Sequence, residues 1–196
     1  MNAVAYLREF ITAEGRNLGG GILKVDALLN HQIHPEVMQA FGREFAQRFA
    51  SQNVTRILTA EISGIAPALM TGLTLGVPIV YARKKRPVTM SGPVFLAEAE
   101  SRTKGGVNEL VVSAEFLHRD DRVLVIDDFL ARGCTSAALL NLVREAGATP
   151  VGLGCLVEKA FEGGRSYLRD HGFADVRVES LVAIINMDGN TVQLAD

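Results

Sequence analysis

The stretch VLVIDDFLARGCTS, Val123 to Ser136, restricts the fold more than any other part of this chain. Its apolar residues follow one another without the alternation of a strand that has one wet face, so RVLVID reads as a strand buried on both faces. A strand of that kind belongs to a mostly parallel sheet covered by helices on both sides. It ends at Asp127, and Asp128 opens a loop, DFLARG, that leads into the helical pattern CTSAALLNLVREAGA.

The rest of the chain repeats that alternation. A helix is predicted near Val4 to Glu14, followed by the glycine-rich loop NLGGG and a short extended piece, ILKV. Pro35 stands where a longer helix begins, and Val37, Met38, Phe41, Phe45 and Phe49 recur at helical spacing as its core face. Next, the strand RILTA, the loop EISGIAP, a helix to about Leu75 and the strand PIVYA make a βαβ unit. Residues 83–113 are less regular, and strands are expected there around a mobile loop. The strand PVGLGCLVE, a short helix near Gly164 to His171, a strand near VRVESLVAII and a hairpin through MDGN complete the pattern. With no repeat or low-complexity linker, residues 1–196 read as one domain, long enough to bury a substantial core.

Charge and composition exclude several classes. Twenty basic residues against 22 acidic ones give a formal charge of -2, so a general polyanion binder is disfavoured and no nucleic-acid partner is expected; any phosphate must be held locally. Two cysteines, Cys134 and Cys155, without a paired framework point to a reducing compartment, the cytoplasm. The segment Ile62 to Ala82 carries no charge and is long enough to span a bilayer, but Pro67 and Pro78 break it and three glycines weaken it, so no membrane association is expected. Neither G-x-x-x-x-G-K-[ST] nor G-x-G-x-x-G occurs, which removes support for a nucleoside triphosphatase loop or a dinucleotide fold.

In an open parallel sheet, ligands collect at the carboxyl ends of the strands, where Asp127 and Asp128 stand. Carboxylates there accept hydrogen bonds from sugar hydroxyls or bind a metal. Alternation within a strand would send the two side chains to opposite faces, so both are expected to reach one ligand only from the loop. Downstream, Gly133 permits close backbone approach, and Thr135 and Ser136 bring hydroxyls beside the first free N–H groups of a helix, an anion cradle. A phosphorylated ribose matches both halves. The plainer alternative is that Asp128 starts a loop and Thr135 or Ser136 caps a helix.

VLVIDDFLARGCTS resembles the phosphoribosyl-diphosphate signature of the type I phosphoribosyltransferases. Together with ILKVDALLNHQIHP, SGIAPALMTGLTLGVP, ARK and VEKAFEGGR, it makes the chain similar, over nearly its whole length, to the bacterial xanthine phosphoribosyltransferases within that superfamily. The resemblance implies an α/β, single-domain type I phosphoribosyltransferase fold: a mostly parallel central sheet flanked by helices, a small base-binding hood and a flexible loop. It implies a homodimer that converts xanthine and 5-phosphoribosyl 1-diphosphate to xanthosine 5′-monophosphate and pyrophosphate in purine salvage. By position, Ala131, Arg132, Gly133, Cys134 and Thr135 would form the 5-phosphate loop, Asp127 and Asp128 would face the ribose hydroxyls, and Leu23, Asn30 and Lys159 would contact the base. Arg132 and Cys134 depart from the small or polar residues usual at their positions.

The chemistry of such a reaction suggests further residues. Displacement of pyrophosphate leaves negative charge on the leaving group, for which the Ser63–Gly64 turn and the cations Arg83 and Lys84, with Lys85 beside them, are candidates. Related enzymes can draw that basic arm from a neighbouring subunit. The polar segment ESRTKGGVNEL, with Lys104, is a candidate closing loop that excludes water. Phe161 is a candidate for stacking on the base. Mg2+ would arrive with the diphosphate, held mostly by substrate and water, and no protein metal cage is expected. Alternatives are the same reaction on hypoxanthine, guanine or adenine, or a regulator that senses phosphoribosyl diphosphate, disfavoured by the acidic balance and the lack of length for a DNA-binding domain.

Overall fold

The computed structural model describes residues 1–100, 107–189 and 191–195. The first helix, α1 (Ala3–Glu14), is capped by Asn2, whose side chain accepts from the Ala5 N–H at 3.0 Å. Two short antiparallel strands, β1 (Arg16–Asn17) and β2 (Leu23–Lys24), follow and lead into a helical turn at Asp26–Asn30. Helix α2 (Pro35–Arg48) starts with the proline in its first turn, as its sequence predicts.

The βαβ unit consists of β3 (Arg56–Ala60), α3 (Ile65–Leu75) and β4 (Ile79–Ala82). Residues 62–82 divide into a turn, a helix and a strand as expected, but the helix starts at Ile65 and the break is not at Pro67. Pro67 lies in the first turn of α3, where its missing N–H would have had no helical partner. No helix among the described residues is long and apolar enough to cross a membrane. The irregular middle holds an antiparallel pair, β5 (Val94–Glu100) and β6 (Val107–Ser113). Strand β7 (Arg122–Leu130), helix α4 (Cys134–Glu145), β8 (Thr149–Lys159), α5 (Gly164–Leu168), β9 (Val178–Asp188) and β10 (Thr191–Leu194) complete the chain.

Six strands form the central sheet in the order β10-β9-β8-β7-β3-β4, parallel except for the antiparallel edge strand β10. Successive residues of its inner strands enter two different cores. Ile57, Leu124 and Ile126 pack with α1, α2 and α3, whereas Leu58, Val123 and Val125 pack with α4. Both faces are therefore apolar, which is why these strands read as unbroken hydrophobic runs. The glycines of PVGLGCLVE have a packing reason: a Cβ at Gly152 or Gly154 would collide with the rings of Phe49 or Phe45 on the α2 side. These aromatics are fully buried, and their burial is worth about 2–3 kcal/mol apiece.

Candidate active site

The chain winds outward from β3 to β4 in one direction and from β7 to β8 and β9 in the other, so the loops after β3 and β7 diverge. A crevice is expected at such a switch point. A cleft of about 310 Å3 opens there, lined by residues 60–64, 127–129 and 131–136, with Lys84, Ala99 and Leu110 around it.

Both aspartates line this cleft, although neither lies on a loop. Strand β7 continues three residues past Asp127, to Leu130, which corrects the expected boundary. Its pairing with β3 stops at Val125, whereas pairing with β8 runs on to Leu130 opposite Glu158. The end of β7 thus overhangs its neighbour, and that open side admits both carboxylates. Each curls back on the main chain: Asp127 Oδ1 accepts from the Asp128 N–H at 3.0 Å, and Asp128 Oδ1 from the Phe129 N–H at 2.9 Å. Burial, then the charge of Asp128, holds the Asp127 carboxyl well above the ordinary range, with Lys84 pulling the other way. Burial also raises Asp128, opposed by hydrogen bonds from Asp127, the Phe129 N–H and Ser63.

The loop after β7 closes on Gly133, whose φ of 89° is left-handed and which precedes the first turn of α4. The first N–H groups of this helix have no intrahelical partner, so the loop carries unspent donors beside Thr135 and the buried Ser136. Gly133 is pressed against α5: a Cβ there would meet Gly164 O at 2.8 Å and the Tyr167 ring at 3.2 Å. Helix α5 is itself pinned by Arg165, which donates to both oxygens of Glu158 at 2.7 Å, while Ser180 donates to Glu158 at 2.8 Å. Burial pushes the Glu158 carboxyl up, but these donors hold it below its ordinary value. Ala131, Arg132, Gly133, Cys134 and Thr135 all line the cleft.

Opposite them, Ser63 and Gly64 form the turn into α3. A Cβ at Gly64 would lie 2.8 Å from Asp127 Oδ1, so only glycine permits this approach. Lys84 and Arg83 are separated by Glu61. Glu61 Oε1 accepts from the Lys84 N–H at 2.8 Å, and Lys84 lines the cleft. Arg83 Nε lies 2.7 Å from Glu61 Oε2, and its guanidinium stands over Tyr81 at 5.7 Å, lining a different depression with Tyr81 and Phe116. Lys104 lies outside the described residues.

At the base end, Lys159 is the last residue of β8 and is buried. Its ammonium donates to Gly21 O at 2.7 Å, lies 3.9 Å from Glu162 and stands 5.1 Å over the ring of Phe129. Phe129, rather than the exposed Phe161, is the aromatic that the fold brings to both the lysine and the cleft. Leu23 is buried in the core beside α1 and α2, and the backbone of Asn30 ends the helical turn that follows β2. Sequence reasoning missed Glu61, Phe129, Glu162 and Gly21. For Phe129 a signal existed, because it follows the aspartate pair directly; for Glu162 and Gly21, only the fold brings them together.

A doubly wound sheet with a carboxylate pair and an anion loop at its switch point defines an α/β protein built to hold a phosphorylated sugar. The phosphoribosyl transferase domain model matches residues 26–194, and the chain belongs to that family. It is 56% identical over 182 residues to a xanthine phosphoribosyltransferase of Deinococcus deserti, covering 93% of each chain. It is 48% identical over 193 residues to one of Moorella thermoacetica, covering 98% of this chain and 97% of that one. Among solved structures, adenine phosphoribosyltransferase of Saccharomyces cerevisiae, in complex with an imino-altritol bisphosphate and adenine, matches with a TM-score of 0.72 and 25% identity, covering 90% of this chain and 98% of that one. The enzyme of Rhodothermus marinus, at 23% identity and a TM-score of 0.74, shares the fold. The fold is that of the type I phosphoribosyltransferases, and the chain is a phosphoribosyltransferase, a glycosyltransferase of the pentosyl kind.

Proposed function

We propose that this protein transfers the 5-phosphoribosyl group of phosphoribosyl diphosphate to xanthine, giving xanthosine 5′-monophosphate and pyrophosphate in purine salvage. The observation that carries this reading is the cleft itself, where the buried carboxylate of Asp127 and the partly buried one of Asp128 stand between an anion loop and a lysine-bearing turn. The relatives named for xanthine, at about half identity over nearly the whole chain, favour that base over hypoxanthine, guanine or adenine.

The anomeric carbon loses the oxygen of pyrophosphate and gains a purine nitrogen, so positive charge develops on the ribose ring and negative charge on the departing diphosphate. Asp127 and Asp128 accept from the ribose hydroxyls and stabilise the ring. Residues 131–135 hold the 5-phosphate with the first N–H groups of α4. Ser63, the Gly64 turn and Lys84 receive the diphosphate, Arg83 supports them by neutralising Glu61 at the cleft's edge, and Lys104 is a further candidate cation for it. Lys159 donates to a purine carbonyl, Leu23 and Asn30 shape the pocket around the ring, and Phe161 flanks it. The whole chain, 1–196, acts as one phosphoribosyltransferase domain.

Two carboxylate oxygens are hard donors that fit Mg2+, and among the described residues no group of three or more His, Cys, Asp and Glu gathers to hold a metal. Asp127 and Asp128 would therefore share such an ion with the diphosphate and water, and it would neutralise leaving-group charge. A cytoplasmic homodimer completes the reading. Its support is the outer face of α3, where Leu69 and Leu73 stand one turn apart and exposed, with Ile62 beside the cleft exposed as well. The test is to incubate the protein with phosphoribosyl diphosphate, Mg2+ and each of xanthine, guanine, hypoxanthine and adenine. Xanthosine monophosphate should form fastest; preference for adenine, or no turnover with any base, refutes the assignment.

A further inference from the structure

Thr59 is the one buried hydroxyl among the described residues that has no hydrogen-bond partner. It lies on β3, paired with Tyr81 of β4, and is fully inaccessible to solvent. Its neighbours Ile57 and Leu58 fill the two cores as apolar residues should, so valine or isoleucine would serve at position 59 without stranding a polar atom. An orphaned buried hydroxyl costs stability, and native proteins rarely keep one without a use.

Its surroundings indicate the use. A methyl group on Gly64 would collide with Thr59 Oγ1 and also lie 2.8 Å from Asp127 Oδ1. The two oxygens therefore flank the same methyl-sized space, which only the bare Cα of Gly64 leaves open. Asp127 Oδ1 meanwhile accepts from the Asp128 N–H. Turning this carboxyl toward a sugar hydroxyl takes it away from that N–H and leaves one of its oxygens in need of a donor. The hydroxyl across the gap is unspent.

We propose that Thr59 is a positioning residue for Asp127: its hydroxyl donates to the Asp127 carboxylate when phosphoribosyl diphosphate occupies the cleft, holding the carboxylate toward the ribose. The exchange swaps one donor for another, the Asp128 N–H for the Thr59 O–H, and lets the carboxylate turn without losing a hydrogen bond. Gly64 thus has a second task besides admitting the diphosphate, since any side chain there would part the pair. This inference rests on the phosphoribosyl-transfer reading of the cleft.

The test measures calorimetric binding of phosphoribosyl diphosphate with Mg2+, steady-state kinetics and Tm for the wild type, Thr59→Val and Thr59→Ser. Valine has the shape of threonine without its hydroxyl, so Thr59→Val should melt no lower than the wild type while binding phosphoribosyl diphosphate on the order of tenfold more weakly, the effect of one hydrogen bond to a charged group. Its KM for the purine should stay put, and Thr59→Ser should bind like the wild type. Wild-type binding by Thr59→Val overturns the inference, as does equal weakening in both variants alongside a lowered Tm, which would mean a merely structural role. A wild-type protein that binds no phosphoribosyl diphosphate would remove the reading of the cleft, and this inference with it. Wild-type binding with only the Thr59→Val result failing removes the inference alone.

Discussion

Lys159 Nζ donates to the carbonyl oxygen of Gly21 at 2.7 Å, joining the end of β8 to a glycine loop 138 residues earlier. Under the proposed role of Lys159, a purine carbonyl would take the place of the Gly21 carbonyl as acceptor, exchanging one oxygen for another at a buried ammonium. Lys159→Met keeps the length and apolar stem but cannot donate. It should lower kcat/KM for the purine by about 10- to 100-fold, as expected for a lost hydrogen bond to a charged group, and leave phosphoribosyl-diphosphate affinity unchanged. The check is a pair of titrations, one substrate varied at a time; equal loss for both substrates would place the lysine elsewhere in the reaction.

Asp127 illustrates a conflict between stability and function. Its carboxyl titrates well above the ordinary range because burial and the charge of Asp128 disfavour ionisation. For a group whose folded value is raised, the stability it contributes is complete below the unfolded value near 3.9 and is lost as pH rises through the folded value. Asp127→Asn cannot ionise and escapes that loss. Its Tm should exceed that of the wild type at neutral pH, the gap should shrink as pH falls toward 4, and turnover should drop on the order of 100-fold or more. Thermal scans across that pH range, beside a turnover assay, check both halves; a variant less stable than wild type at pH 8 would contradict the argument.

How far the sequence reveals this site depends on where its chemistry lies along the chain. The anion loop and both aspartates stand within ten residues, so spacing exposes them. The boundary at Asp127 misleads, because the overhang of β7 past β3 depends on a strand 67 residues earlier, whose last pair is Leu58 with Val125. The hydrophobic pattern finds the inner strands of the central sheet since both their faces are apolar, and the edge strand β10 is expected only from the MDGN turn, but neither signal says anything of Gly21 meeting Lys159 or Glu61 dividing Arg83 from Lys84. Those contacts are made at strand ends and in loops, where no period operates. Pro67 shows the opposite error: its residue type suggests a break, but position within the first turn of α3 removes the conflict.

The amino ends of β3 and β7 are tied by Asp121, away from the cleft. Asp121 accepts from Arg56 at 2.7 Å, the His118 N–H at 2.9 Å and Thr55 at 3.0 Å. Burial raises its carboxyl, but these three donors together hold it below the ordinary value. With a lowered folded value, the stabilisation is present above the unfolded value and disappears as pH falls through the folded one. Asp121→Asn should cost about 1–3 kcal/mol at pH 7, read from urea unfolding, with turnover at 25 °C intact. The cost should fade at acid pH; a pH-independent difference would mean that shape, not charge, matters here.

The two cations after β4 should behave differently. Lys84 lines the cleft, so Lys84→Ala should lower kcat/KM for phosphoribosyl diphosphate on the order of tenfold or more, with a shallower salt dependence. Arg83 is engaged by Glu61, and its removal would leave a carboxylate uncompensated at the cleft's edge. Arg83→Ala should therefore weaken diphosphate binding by a smaller factor, through repulsion from Glu61. Adding Glu61→Gln to Arg83→Ala should recover part of that loss, because the amide still accepts from the Lys84 N–H but carries no charge. A double-mutant cycle measures this coupling directly. Strict additivity would instead mean that Arg83 contacts the diphosphate itself, in its own or a neighbouring subunit, and that its pairing with Glu61 is released before catalysis.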